Sequence, residues 1–210
     1  QYAHNYDVTV KWMAAALRGE TLEVLGVKSG RIEEVFGFEA ADISVRAGRV
    51  EVMARDEAGA LYHIEEERNL RKSDMYRFAA YHFLGADHWG ENVTDIILAS
   101  GDIWAGEKGS RAITTKSGKY DPVIIDFTVK DGRRRIEEIR EAVQAGTFAN
   151  WLELIFLPLY GKETGEARSK MAEEVLRFDT ELYRAGEIPV RLLAATVIMS
   201  NKLIDKDRPI

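Results

Sequence analysis

Arg49-Val50-Glu51-Val52-Met53-Ala54-Arg55-Asp56-Glu57-Ala58-Gly59-Ala60-Leu61-Tyr62-His63-Ile64-Glu65-Glu66-Glu67 decides how the rest of the chain is read. Val50 and Val52 alternate with polar residues over Arg49 to Ala54, and Leu61 to Glu67 carries a second extended run. Asp56-Glu57-Ala58-Gly59 between them is a turn signal. The stretch therefore predicts a hairpin of two adjacent antiparallel strands. Strand side chains alternate faces, so Glu65 and Glu67 share one face with His63, while Ile64 and Glu66 point away. If Glu51 lies across the hairpin on that face, three carboxylates converge. Like charges pressed together are unfavourable unless a cation lies between them. Hard divalent cations such as Mg²⁺ or Mn²⁺ take oxygen ligands, and one or two carboxylates with water and a phosphate oxygen suffice. Glu51 and Glu65 are thus the candidate metal ligands, with Glu67 as a third candidate catalytic residue.

Working outward, Ser73 is read as the cap of a helix to about Leu84, with Gly85 just past its end. Arg68, Arg71, Lys72 and Arg77 follow the acidic run closely, and a basic strip beside a metal centre suits a phosphodiester substrate. The same residues also suit a bland reading. Glu65-Glu66-Glu67-Arg68 can be the solvated end of an edge strand, and the cations can be an ordinary helix surface. Composition alone favours the bland reading, because charge runs usually mean solvated faces.

Upstream, Val8 to Leu17 has the spacing of a helix with Asp7 as its cap, Thr21 to Val27 alternates weakly like a strand, and Glu39 to Arg46 reads as another. Downstream, strands are expected over Val93–Ala99, Ala112–Thr115 and Val123–Val129. Helices are expected over Arg134–Ala145, Trp151–Tyr160, Gly165–Ala185 and from Pro189 to about Asn201. The order gives an α/β fold, a mixed central sheet flanked by helices, with a helical C-terminal part. A soft boundary near Arg133 separates a core over 1–132 from a helical extension over 133–210 packed on it.

The 210 residues are 46% hydrophobic, enough for a full core and against disorder. No apolar run is long enough to span a membrane, and the opening Gln1-Tyr2-Ala3-His4 is no basic-then-apolar leader. The absence of Cys removes disulfides, thiolate nucleophiles and Cys-ligated zinc, and fits a cytoplasmic protein. A net charge of −6 weighs against coating nucleic acid by bulk attraction, so any DNA contact must be local. There is no phosphate-cradling GxxxxGK[ST], no dinucleotide glycine fingerprint and no GxSxG elbow. Arg133-Arg134-Arg135 opens a helix whose natural partners are Glu137 and Glu138.

Four segments together resemble the Rpn-type recombination-promoting nucleases and putative transposases of the PD-(D/E)XK nuclease superfamily. Tyr6-Asp7-Val8-Thr9-Val10-Lys11-Trp12 is similar to their opening, and Arg49 to Glu67 to their acidic strand, glycine turn and E-x-Q strand. Met75-Tyr76-Arg77-Phe78-Ala79-Ala80-Tyr81 is similar to their R-x-x-x-Y helix, and Trp151-Leu152-Glu153-Leu154-Ile155-Phe156-Leu157-Pro158-Leu159 to a later apolar stretch. The resemblance covers roughly residues 4 to 160. It implies a restriction-endonuclease-like fold and a Mg²⁺- or Mn²⁺-dependent DNA endonuclease linked to recombination or mobile elements, with a homodimer as one arrangement. It puts Glu51 and Glu65 at the metal-binding acids. Glu67 stands where the superfamily has Lys and this branch often Gln; it would add a ligand, or Lys72 would reach in from the helix. Glu51 also stands where Asp is usual, and the two departures keep a second class open, a nuclease-fold protein without catalysis that binds nucleic acid or another protein.

Overall fold

A computed structural model describes residues 15–39, 49–90, 92–107, 109–201 and 203, with the side chains of 37–39 and 49–51 outside the description. The expected helix over 8–17 is seen only at 15–17, and the strand expected over 39–46 falls almost wholly outside the described residues. The chain divides into two compact units, one over Thr21–Asp126 and the other formed by the described parts of 15–20 and 127–203.

The first unit is built on a five-stranded mixed sheet. Its strands are β1 (Ile32–Glu39), β2 (Arg49–Asp56), β3 (Leu61–Arg68), β4 (Val93–Ser100) and, after the small hairpin of β5 (Ile113–Thr115) and β6 (Gly118–Tyr120), β7 (Val123–Asp126). The sheet order is β1-β2-β3-β4-β7. β1, β2 and β3 are antiparallel, whereas β4 runs parallel to β3, and β7 parallel to β4. A parallel step needs a crossover, and α1 (Lys72–Trp89) supplies it between β3 and β4.

The expected β2–β3 hairpin is present, in a register running from Arg55↔Leu61 to Val52↔Ile64. Asp56 organises its turn. One carboxylate oxygen accepts from the Ala58 and Ala60 amides at 3.0 and 2.9 Å. The other accepts from the Gly30 amide at 2.9 Å and the Tyr62 hydroxyl at 3.0 Å. Burial alone would raise the Asp56 carboxyl, but these donors outweigh it and hold it below its ordinary value. Gly59 closes the turn at φ +82°, a left-handed conformation that favours glycine.

α1 starts one residue before Ser73. Asp74 reaches back to accept from the Arg71 amide at 2.8 Å, so the start is fixed by an acid inside the first turn and not by a serine cap. The helix also runs past Gly85 to Trp89, and Gly85 is buried within it. α1 contributes Met75, Phe78 and Tyr81 to a core with Met53, Leu61, Val93, Ile97 and Ala99 from the sheet.

One upstream expectation fails and one strand was not foreseen, each for a physical reason. Leu22–Leu25 is a 3₁₀ turn, not a strand. Leu22 and Leu25 are both buried and three apart, which is the repeat of that helix. β1 was not foreseen as a strand because its register shifts between Ile32 and Glu34 and again between Phe36 and Phe38. Each shift breaks the two-residue alternation that marks a strand.

The second unit is helical. α2 (Gly132–Gln144) is capped by Asp131, whose carboxylate accepts from the Arg134 amide at 3.1 Å. A short α3 (Glu153–Phe156) continues into a 3₁₀ turn over Leu157–Leu159, followed by α4 (Gly165–Arg184) and α5 (Val190–Asn201). The buried Arg168 ties the turn to α4, donating to the carbonyls of Pro158, Tyr160, Gly161 and Glu163. The strand expected over Val123–Val129 is a strand only to Asp126 and a 3₁₀ turn after it. Among the described residues no helix is long and apolar enough to cross a membrane.

Candidate functional site

β3 places His63, Glu65 and Glu67 on the sheet face that α1 covers. The parallel register sets His63 beside Asp95 on β4, and Glu67 beside Ala99, whose partner on β7 is Asp126. A polar row thus crosses an otherwise apolar face. Its inner part is dry: His63, Glu65 and Asp95 are 3%, 5% and 5% exposed.

His63 bridges the two acids. Its Nδ1 lies 3.0 Å from Asp95 Oδ1 and its Nε2 lies 2.9 Å from Glu65 Oε1. An ionised carboxylate only accepts hydrogen bonds, and a neutral imidazole has a single N–H. Two such bonds at once require the imidazolium. Burial opposes the charge, but Asp95 and Glu65 together overcome it and push His63 up to about 9. His82 on α1 brings its Nδ1 to 2.9 Å from Asp95 Oδ2, at an angle that forms no proper hydrogen bond. The edge of His63 meets the Tyr81 ring at 6.4 Å between centroids.

Glu67 marks the outer part of the row. It is hydrogen-bonded to Arg77, which lies 3.8 Å from Asp74 as well and stacks on Phe78 at 4.8 Å. Burial raises the Glu67 carboxyl while Arg77 pulls it down, and the balance is upward. At the end of β7, Arg111 pairs with Asp126 at 3.0 Å and donates to the Trp104 carbonyl at 2.9 Å. These groups lie at the C-terminal ends of the three parallel strands, where open α/β sheets bind ligands.

Glu65 and Glu67 therefore share a face, as their spacing requires. Glu51 lies on β2, one residue past the last paired position, Val52↔Ile64, and its side chain is outside the described residues. Among the described residues no three His, Asp or Glu side chains are grouped as a metal site. The basic strip is only partly a strip. Lys72 is bonded to Glu107 and lies over Trp104 at 5.8 Å, and Arg77 is committed to Glu67. Arg68 and Arg71 are exposed.

Sequence reasoning missed Asp95, His82, Asp126 and Arg111. Asp95 sits inside the apolar run Val93-Thr94-Asp95-Ile96-Ile97, and a lone acid in a buried strand was the available signal, since such a group needs a partner. Comparison of the chain with protein-family models, with curated proteins and with solved structures finds no match.

Proposed function

We propose that this chain is a metal-dependent DNA endonuclease of the PD-(D/E)XK type, resembling the Rpn-type nucleases. The supporting observation is the buried Glu65 on β3 with Asp95 beside it on β4, at the heart of a unit in which three antiparallel strands lead through α1 into a parallel β4. The resemblance needs that order of elements and an acid in that place.

The donors suit the cation. Glu65 offers a hard carboxylate in a dry setting, Glu51 would be its counterpart from β2, and Mg²⁺ asks no more of a protein than one or two carboxylates. Mg²⁺ or Mn²⁺ held by Glu51 and Glu65 would polarise the phosphoryl group and lower the pKa of a bound water. The chain's own residues do the rest. His63 fixes the plane of the Glu65 carboxylate. Arg77 keeps Glu67 in place at the edge of the row, where it can accept a proton from the attacking water. Arg68 and Arg71 meet the flanking phosphates, joined by Lys72 when it leaves Glu107. Recombination or mobile elements, a cytoplasmic setting and a homodimer belong to the same reading.

One observation favours a second reading. Two of the three acids already have cationic partners, Glu65 in His63 and Glu67 in Arg77. A nuclease-fold module that binds nucleic acid or protein without cutting would look the same. Purified protein with Mn²⁺ and supercoiled plasmid separates the two. Nicking that Glu65→Ala abolishes supports the enzyme. Salt-dependent DNA binding without nicking, weakened when Arg71, Lys72 and Arg77 are neutralised, supports the module.

A further inference from the structure

His63 is tied at both ring nitrogens, and the two ties lead to different places. Nδ1 meets Asp95, its partner across the parallel pair, and Nε2 meets Glu65, two residues along its own strand. With all three side chains almost wholly buried, the ring has no room to swing. We infer that His63 is a positioning residue for Glu65: anchored on Asp95, it holds the Glu65 carboxylate in one orientation before any cation arrives.

The inference rests on the proposed reading of Glu65 as a metal ligand. A carboxylate on a strand can rotate about three side-chain bonds, and each must be frozen when it binds a metal. A partner that freezes them in advance removes that cost from binding. Partners behind the ligands commonly matter by about 10- to 100-fold in metal affinity or activity. Asp95 completes the device, because it keeps the imidazole from turning and is itself approached by His82 at 2.9 Å.

The two ties can be cut one at a time. In His63→Asn the side-chain amide occupies the place of Nδ1 and keeps Asp95 while losing Glu65. In His63→Gln it reaches the place of Nε2 and keeps Glu65 while losing Asp95. Mn²⁺ is titrated calorimetrically into the full chain and both variants, with thermal melts of each in the absence of metal. The expected result is an affinity within about 3-fold of wild type for His63→Gln and about 10- to 100-fold weaker for His63→Asn, at similar losses of melting temperature. Plasmid nicking should follow, with kcat reduced in His63→Asn and KM for DNA unchanged.

If wild type takes up no Mn²⁺, the reading of Glu65 as a ligand falls, and the inference with it. If wild type binds and both variants match it, only the positioning role falls. Equal weakening in the two variants, in step with their melting temperatures, would reduce His63 to a structural residue. Should either variant fail to fold, Asp95→Asn keeps an acceptor for Nδ1 but loses the charge, and should weaken Mn²⁺ binding by about 3- to 10-fold. An unchanged affinity there overturns the inference equally.

Discussion

The two units each take a titratable group out of water and treat it in opposite ways. In the sheet unit, His63 is buried with a carboxylate at each ring nitrogen. In the helical unit, Asp179 on α4 is fully buried, and neither of its carboxyl oxygens has a hydrogen-bond partner among the described residues. Thr196 on α5 is the hydroxyl that pulls the Asp179 carboxyl downward, yet its own oxygen sits 3.1 Å from the Leu192 carbonyl, to which it donates. The outcome differs accordingly. His63 keeps its charge, while burial pushes Asp179 up to about 7 and drives it towards the neutral form. A buried charge persists where its partners are built in, and otherwise it is discarded as a proton equilibrium.

The largest effect should come from removing the charge that is partnered. His63→Leu leaves Glu65 and Asp95 facing each other in a dry interior with no cation between them. Removing one member of a buried ion pair costs about 3–5 kcal/mol. Urea unfolding at pH 6 should show a loss of that order, and the loss should shrink as pH rises from 6.5 through about 9, because the wild type then gives up the His63 proton that carries the contribution. A loss below about 1 kcal/mol, far under that range, would mean that the cluster does not hold the sheet together and that its resemblance to a prepared site is accidental.

That cluster was half legible in the sequence. Period two sufficed to put His63, Glu65 and Glu67 on one face, and the turn residues sufficed for the hairpin, because both are local properties. Asp95 was not legible as a partner, since it is 32 residues away and meets His63 only through the parallel register. The same limit applies to Arg77, which read as part of a phosphate strip but is turned inward to Glu67. Strand β1 escaped because its bulges erase the alternation, and α1 began early because Asp74 reaches back to Arg71. Asp179 lies in the long helical pattern of α4 among ordinary charged residues, and nothing in its neighbours marks it as the buried one. For Asp95 and Arg77, what the sequence hides is a contact between elements.

The unpartnered charge should give a smaller effect of opposite sign. Asp179 ionises from about pH 3.8 in the unfolded chain but holds its proton to about 7 in the fold. Between those values the unfolded state carries fewer protons, so stability falls as pH rises through that window and levels off above it. At about 1.36 kcal/mol per pH unit, the fall is at most about 4 kcal/mol. Asp179→Asn should flatten this slope. It should gain about 2 kcal/mol at pH 8, roughly half the maximum, because the amide is still a buried polar group short of partners. Melting curves from pH 4 to 8 check it, and parallel curves for the two proteins would show that Asp179 is not what titrates.

The smallest effect belongs to the pair at the rim of the acidic row, where both treatments meet. Glu67 is half-buried, with Arg77 opposing the upward push of burial on its carboxyl. Arg77 is 40% exposed, so water competes for it, and an ion pair of this kind contributes about 1 kcal/mol or less. Arg77→Ala should therefore cost about 1 kcal/mol, part of it from lost packing on Phe78 and not from charge. Glu67→Gln should cost less, since an amide oxygen still accepts from the guanidinium and the burial of a charge is relieved. A double-mutant cycle between the two should return a coupling of about 0.5 kcal/mol that shrinks in 1 M salt. A coupling of about 3 kcal/mol, insensitive to salt, would instead place Glu67 with His63 among the fully partnered interior charges. In that case Glu67 would be a fixed structural acid, and Glu65 alone would remain on β3 to serve a metal.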